Sequence, residues 1–521
     1  MDKQKLPAHI QALFDPSAYP HQAREIKPEE IKLIQTHISW VFLTGEFAYK
    51  IKKPVNLGFL DFSSLSKRKQ ACKDELILNR RLAPEIYLDV LPIYIKRDHH
   101  KSGYQLGNDS TDPDHTIDYC LKMIQFDQND LFDARLQQNR FDPLWMDQLA
   151  LSISQFHLSA EQSPYIEKFG SPGFLQSHIQ ESLNVGEKHL TSGEMPETLA
   201  NLKERSRECF NGSREKLKAR QHNHHIRNCH GDLHLRNITL FNNIPTLFDC
   251  IEFSDEYRMI DTMNDAAFLM MDCDARNRSD LGYRFLSRYL EQTGDYDGLQ
   301  LLPLYLSYRA GVRGKVSCLS VNATLQQNEI SKLYDAAGDY FTLAADYLTP
   351  DQPRLIIIGG LSGSGKSHLA LLGLKHDKAI IIRSDATRKR ITKDHPGLSL
   401  YSDEMHRLTY QSMLNTASTA IKAGFSVILD ATFLHPASRQ SAIELADSLK
   451  VPLLFYWLDM DASILRERVK QRTVENSDIS DADLKVLEDQ LSNYQRPDEP
   501  CIQFIRDSNS WPDSSNIQKV Q

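Results

Sequence analysis

Tryptophan and cysteine are both scarce in this chain of 521 residues, at four and eight copies. The cysteines, at positions 72, 120, 209, 229, 250, 273, 318 and 501, include no C-x-x-C pair. That spacing fits neither a disulfide framework nor a zinc site, so reduced and mostly buried thiols are expected. No stretch approaches the roughly 18 consecutive apolar residues of a membrane span. The opening MDKQKLPAHIQALFDPSAYP lacks a basic region followed by an apolar one, so a cytosolic protein with no membrane partner is expected. Excess positive charge is missing as well. With 61 basic and 69 acidic side chains the formal charge is −8, which offers no general pull toward nucleic acid. Internal repeats and long low-complexity tracts are absent, and the polar, turn-rich stretch from Asp98 to His115 reads as a surface loop between strands.

The length suggests two to four domains, each able to bury its own core. The sharpest punctuation is Tyr347-Leu-Thr-Pro-Asp-Gln-Pro353, where two prolines separate a helical pattern from an apolar strand. A domain of residues 1–347, a linker of 348–353 and a second domain of 354–521 are therefore expected.

Beyond the linker, Leu355-Ile-Ile-Ile358 reads as a buried parallel strand leading into Gly360-Leu361-Ser362-Gly363-Ser364-Gly365-Lys366-Ser367, a complete Walker A pattern. Glycines let backbone N–H groups converge on phosphate oxygens, and the new helix points its positive end at them. Lys366 reaches the β- and γ-phosphates, and Ser367 supplies a hydroxyl for magnesium. Further strands are expected at Ala379–Arg383, Ser426–Asp430 and Leu453–Leu458, alternating with amphipathic helices such as Asp403–Lys422 and Pro436–Leu449. That alternation describes an α/β P-loop domain, a parallel sheet with helices on both faces. Asp430 ends its strand where a Walker B carboxylate would meet the metal; a helix cap is the alternative, and the phosphate site fixed by Walker A favours the metal role. Asp385 and Arg388, one turn apart after the second strand, suit a base and a charge clamp. Arg466, Arg468 and Arg472 lie on a later helix, with Arg468 and Arg472 at i, i+4; a closing lid and a solvated charged face are both open.

Residues 354–506 resemble the P-loop kinases of the polynucleotide 5′-hydroxyl kinase and zeta-toxin type. The resemblance rests on Walker A, on Asp385-x-x-Arg388, on Arg468-x-x-x-Arg472 and on Asp430-Ala-Thr-Phe433. It implies that Asp385 is the general base, that Arg388 contacts phosphate and that Arg468 and Arg472 clamp the donor.

In the first domain, Val41–Lys53 reads as two strands joined by Thr44-Gly45-Glu46. Lys50 on the second strand and Glu75 on a helix expected over Lys73–Leu82 are spaced to form the Lys–Glu pair that positions ATP phosphates, with Lys52 and Lys53 competing for the lysine role. Further on, His230-Gly-Asp232-Leu-His-Leu-Arg-Asn237 precedes an apolar strand ending in Asp249. Asp232 suits an acceptor-orienting base, and Asn237 and Asp249 suit two magnesium ligands. A zinc reading of His225, His230 and His234 lacks a fourth ligand. Asp261 and Asp265 read as structural partners of this loop.

The H-G-D-x-x-x-x-N pattern with its downstream aspartate resembles the aminoglycoside-phosphotransferase branch of the protein-kinase-like fold, and implies a two-lobed α+β domain. No D-F-G or A-P-E is present, and no G-x-G-x-x-G covers the phosphates, the equivalent segment being Gln35-Thr-His-Ile-Ser39. The combination resembles bacterial two-domain proteins that join such a domain to a P-loop kinase or ATP-binding domain.

The leading expectation is a phosphotransferase with two ATP sites, magnesium at both, and hydroxyl acceptors. A nucleotide-responsive regulator is the rival. Nucleic-acid 5′ ends are a weaker acceptor than a small molecule: Arg383, Arg388, Lys389, Arg390 and Lys393 supply charge, but no aromatic platform is interleaved with them.

Overall fold

A computed structural model describes residues 6–21, 27, 30–58, 60–98, 101–107, 115–322, 325–349, 351–475 and 483–512. By contact density the chain forms two compact units. One holds residues 1–142, 159–170 and 224–265, the other 143–158, 171–223 and 266–521.

The first unit is built on a six-stranded sheet of β1 (Lys32–Gln35), β2 (Ser39–Leu43), β3 (Phe47–Lys52), β4 (Tyr87–Asp98), β5 (Lys101–Leu106) and β6 (Thr116–Ile124), in the order β1-β2-β3-β6-β4-β5. Every pairing is antiparallel. Period-two alternation divides its side chains between two apolar clusters, one around Phe42, Tyr49, Ile51 and Ile93 and the other around Ala48, Tyr87, Leu121 and Met123. The β2–β3 turn falls at Thr44-Gly45-Glu46, where Thr44 N donates to Phe47 O at 2.9 Å. Part of the stretch expected to be a loop is β5, paired with β4 from Ile93↔Leu106 to Asp98↔Lys101. Burial of Leu106 in the first cluster fixes it there; residues 99–100 and 108–114 lie outside the described residues. The helix carrying Glu75 starts earlier than expected and spans Leu65–Asn79, because the Ser64 hydroxyl accepts from Lys67 N at 3.3 Å and caps it. Two short antiparallel pairs complete the unit: β7 (Ile226–Asn228) with β10 (Met259–Asp261), and β8 (Ile238–Phe241) with β9 (Ile244–Leu247). This antiparallel sheet with its accompanying helix has the α+β character expected of the first domain.

The second unit joins helices to a five-stranded sheet of β11 (Leu355–Gly360), β12 (Ala379–Arg383), β13 (Ser426–Asp430), β14 (Leu453–Leu458) and β15 (Ile502–Ile505), ordered β12-β13-β11-β14-β15 and parallel throughout. The strands β11, β12 and β13, rich in β-branched residues, are buried along nearly their whole length, as parallel strands covered on both faces require. The helices Asp403–Lys422 and Pro436–Leu449 fall where their periodicity places them. Within this unit the sheet edge at β12 is covered by the helix Ser279–Thr293. Ile381 N donates to Ser287 Oγ at 3.0 Å, and Arg383 makes two bonds of 2.5 Å to Glu291. An edge strand so covered offers no ladder to another chain, and it draws helices preceding residue 348 into one compact unit with the P-loop sheet. The compact units therefore run across the proline punctuation at 348–353. Among the described residues no helix is long and apolar enough to cross a membrane.

Candidate active sites

In the first unit, alternation on β3 sends Lys50 and Lys52 to the side opposite Tyr49 and Ile51. Lys50 Nζ donates to Glu75 Oε1 at 2.7 Å and to Asp249 Oδ1 at 2.5 Å. Lys52, almost wholly enclosed, lies 2.5 Å from Glu75 Oε2 and also pairs with Glu252. Burial alone would raise the Glu75 carboxyl, but Lys50 and Lys52 outweigh it and draw it down to about 2. Burial likewise works against the Lys50 ammonium, yet Asp249 and Glu75 hold it well above the usual lysine range. Lys53 turns elsewhere: its Nζ donates to Thr36 O at 2.5 Å and sits over the Trp40 ring.

The β8–β9 hairpin turns through Asn242 and Asn243, with φ of 50° and 62°, the pair of left-handed residues that a two-residue hairpin needs. Its register sets Ile238 opposite Leu247. At the open end Phe248 N donates to Asn237 O at 3.0 Å, which brings the His230–Asn237 segment beside Asp249. Asn237 Nδ2 donates to Asp232 Oδ2 at 2.8 Å and to Asp232 O at 3.0 Å. Asp249 has a φ of 62° and donates its N–H to Tyr87 Oη at 3.0 Å, a strained backbone held in place by a buried tyrosine.

Asp265 accepts from His230 N at 3.0 Å and from Gly231 N at 2.9 Å, the scaffold role expected of it. Gly231 has a φ of 86°, and a Cβ there would lie 2.7 Å from Tyr257 O, so the loop needs glycine. His230 contributes to the scaffold too, with Nε2 3.0 Å from Phe248 O and Nδ1 accepting from Asp232 N at 3.3 Å. His234 Nε2 lies 3.4 Å from Asp232 Oδ2. Asn237 uses Nδ2 on Asp232, so its Oδ1 and the Asp249 carboxylate are the hard oxygen donors that suit magnesium.

In the second unit, Gly363 and Gly365 have φ of 82° and 95°, and a Cβ on them would lie 2.9 Å from Val469 Cγ2 and 2.7 Å from Ser508 Cβ. The loop Gly360–Gly365 then opens the helix Lys366–Gly373, so backbone N–H groups and the helix dipole face one spot. Lys366 Nζ donates to Leu361 O at 3.0 Å. Parallel register sets Ile358 beside Asp430, and Ser367 Oγ donates to Asp430 Oδ2 at 2.6 Å. Burial raises the Asp430 carboxyl above its ordinary value, with Lys366 and Ser367 pulling the other way. A hydroxyl and a buried carboxylate in contact beside the P-loop are oxygen donors that fit magnesium.

Asp385 stands in the first turn of the helix Ser384–Ile391 and accepts from Arg388 Nη1 at 2.9 Å. Arg468 Nη1 donates to Ser364 O at 3.3 Å. Arg466 turns outward to an exposed pair with Glu488 at 2.6 Å, and the Arg472 side chain lies outside the described residues. A cavity of about 410 Å³ gathers Lys366, Ser367, Asp385, Arg388, Asp430 and Arg468 along its walls. Five further groups line it, of which only Thr432 fell within a motif, Asp430-Ala-Thr-Phe433. Gln490 accepts from Ser362 N at 2.9 Å, and Tyr401, His406, Thr432 and His435 line the same space. Thr432 and His435 directly follow Asp430 at the carboxyl edge of the sheet, the crevice where open α/β folds bind ligands, and that position was the signal for them.

Residues 355–497 match the family model described as AAA domain. An uncharacterized protein of Mycobacterium tuberculosis (strain ATCC 25618 / H37Rv) is 29% identical over 456 residues, covering 86% of this chain and 87% of the relative. A counterpart from Mycobacterium bovis (strain ATCC BAA-935 / AF2122/97) has the same identity and coverage. Among solved structures, a choline/ethanolamine kinase family protein from Mesorhizobium loti is similar at 14% identity and a TM-score of 0.39, over 65% of this chain and 99% of that one. The APS kinase CysC of Mycobacterium tuberculosis, in complex with AMPPNP and APS, is similar at 19% identity and a TM-score of 0.25, over 31% of this chain and 93% of that one.

Proposed function

We propose that the chain is an ATP-dependent phosphotransferase with two nucleotide sites, one in residues 1–347 and one in residues 354–521. Each transfers a γ-phosphoryl group to a hydroxyl, and the acceptor is a small molecule rather than a nucleic-acid end. The observation that carries the reading is the single cavity in which the phosphate-binding Lys366, the Ser367–Asp430 pair and the Asp385–Arg388 pair converge. Phosphoryl transfer needs little covalent help from the protein; positioning and charge neutralisation do the work.

In the P-loop site, Lys366 and the loop N–H groups hold the donor phosphates, and Ser367 and Asp430 would hold magnesium. Asp385 takes the acceptor proton, and Arg388 and Arg468 meet the charge of the group in flight. Magnesium, when bound, neutralises the phosphate oxygens. In the first site, Lys50, oriented by Glu75, holds phosphates. Asp232 orients the acceptor hydroxyl, and Asn237 and Asp249 would hold the metal. The absence of a glycine-rich cover there is consistent with weaker nucleotide affinity.

The test is incubation of the protein and of Lys366→Ala and Asp232→Asn variants with γ-labelled ATP, a small-metabolite extract and an oligonucleotide pool. Label in a small molecule, lost in one variant or the other, supports the reading. Label found only in inorganic phosphate refutes it and favours a nucleotide-responsive regulator.

A further inference from the structure

We propose that the wall of the P-loop cavity formed by Tyr401, His406, Thr432 and His435 is the acceptor subsite, and that it takes an uncharged, polyhydroxylated small molecule. The proposal rests on the phosphotransferase reading of that cavity.

Charge is the first argument. Lys366 and Arg468 stand at the P-loop, bonded to Leu361 O and Ser364 O, where donor phosphates need them. The two remaining arginines on the cavity wall are each matched by a carboxylate, Arg388 by Asp385 at 2.9 Å and Arg383 by the buried Glu291 at 2.5 Å. An anionic acceptor would compete with Asp385 or Glu291 for a guanidinium that is already paired, and a cationic one would face both guanidinium groups. An uncharged acceptor does neither. The subsite offers what vicinal hydroxyls require, since a threonine hydroxyl and a neutral imidazole each donate and accept. His406 is kept neutral by burial, with His435 and Arg388 adding to the effect. Tyr401, half exposed with the Arg388 guanidinium 5.4 Å from its ring centre, supplies an apolar face for the carbon skeleton.

Rigidity is the second. Phe433 has a φ of 49°, a conformation that is a genuine outlier for a bulky residue. Three bonds hold it. Phe433 N donates to Tyr410 Oη at 2.9 Å, and Arg439 Nη1 donates to Phe433 O and to Leu434 O at 3.1 Å each. Arg439 is itself buried and fixed by Glu499 at 2.6 Å. Tyr410 also lies 3.3 Å from Thr432 Oγ1 and packs its ring 4.5 Å from that of His406. His406 in turn meets His435 edge to face at 5.3 Å. The strained turn thus keeps Thr432 and His435 on the cavity wall, with Tyr410 and Arg439 as positioning residues. In the reaction, the acceptor oxygen bonds to the γ-phosphorus while its proton passes to Asp385. The bond from that phosphorus to the bridging oxygen breaks and ADP leaves.

The test is binding, read apart from turnover. Full-length protein saturated with magnesium and AMPPNP is titrated with aldohexoses, aldopentoses, inositol and linear polyols. The aldonates, the sugar phosphates and choline serve as charged comparators. At least one uncharged probe is expected to bind roughly tenfold or more tighter than its charged analogue, since a buried polar group left without its partner costs on the order of that much. His406→Phe, Thr432→Val and Tyr410→Phe should each weaken that probe about tenfold or more while leaving AMPPNP affinity unchanged. Failure of every uncharged probe to bind, tighter binding of a charged analogue, or retention of affinity in all three variants overturns the proposal. Because no phosphate is transferred, these results stand whether or not the labelled-ATP experiment finds a product.

Discussion

Replacing Asp385 by asparagine is expected to separate chemistry from stability in the P-loop site. The Asp385 carboxylate is about one-third exposed and pairs with Arg388 at 2.9 Å, and a pair so open to solvent is worth roughly 1 kcal/mol or less. Asparagine keeps the size and one acceptor oxygen, so the unfolding midpoint in urea should barely move. The rate should fall far more. Loss of a general base typically costs about 100- to 10,000-fold, or roughly 2.7 to 5.5 kcal/mol of barrier at ~1.4 kcal/mol per decade. Lys366→Ala should behave differently, because its ammonium meets phosphates in ground and transition states alike, so nucleotide affinity and turnover should fall together. The assay is single-turnover transfer from γ-labelled ATP in an Asp232→Asn background, run beside fluorescent-nucleotide titration. If turnover is unchanged by Asp385→Asn, the carboxylate is a helix-terminal partner of Arg388, and the kinase assignment of this site fails.

Asp232→Asn with Asp249→Asn should abolish transfer by the first site yet leave nucleotide binding that Lys366→Ala then removes; loss of all binding in the double variant would mean one shared nucleotide site. Glu291→Gln should destabilise the protein by about 3–5 kcal/mol in urea unfolding, because it strands the buried Arg383, whereas Arg383→Met with Glu291→Leu should recover most of the loss. In the first unit, Glu75 is depressed to about 2 by its two lysines. The stability it contributes should be fully present above its unfolded value of roughly 4.5 and be lost as pH falls toward about 2. Glu75→Gln should flatten that acid limb of the unfolding profile, and an unaltered limb would show that Glu75 does not carry it.

The P-loop half was legible because its chemistry is local. Strand, glycine turn, lysine and helix are consecutive, and β-branched runs mark each buried strand, so β11 to β14 and the helices Asp403–Lys422 and Pro436–Leu449 fall where periodicity puts them. In the other half the loop from His230 to Asn237 was readable for the same reason. What joins Lys50 to Asp249 was not, since that contact spans nearly two hundred positions and depends on which face of β3 turns toward the β8–β9 hairpin. Alternation puts Lys50 and Lys52 on one face without saying which of them meets Asp249; Glu252, which no motif flags, takes Lys52 and leaves Asp249 to Lys50. The cavity wall beyond Asp430 was hidden for a further reason. Thr432 and His435 are held by the backbone of Phe433, whose left-handed φ runs against the preference of its own side chain and is imposed by Tyr410 and Arg439. Propensity cannot find a residue placed against its propensity. Such a residue persists only where surrounding bonds over-determine it, and here they do so at the carboxyl edge of a parallel sheet, beside the candidate base.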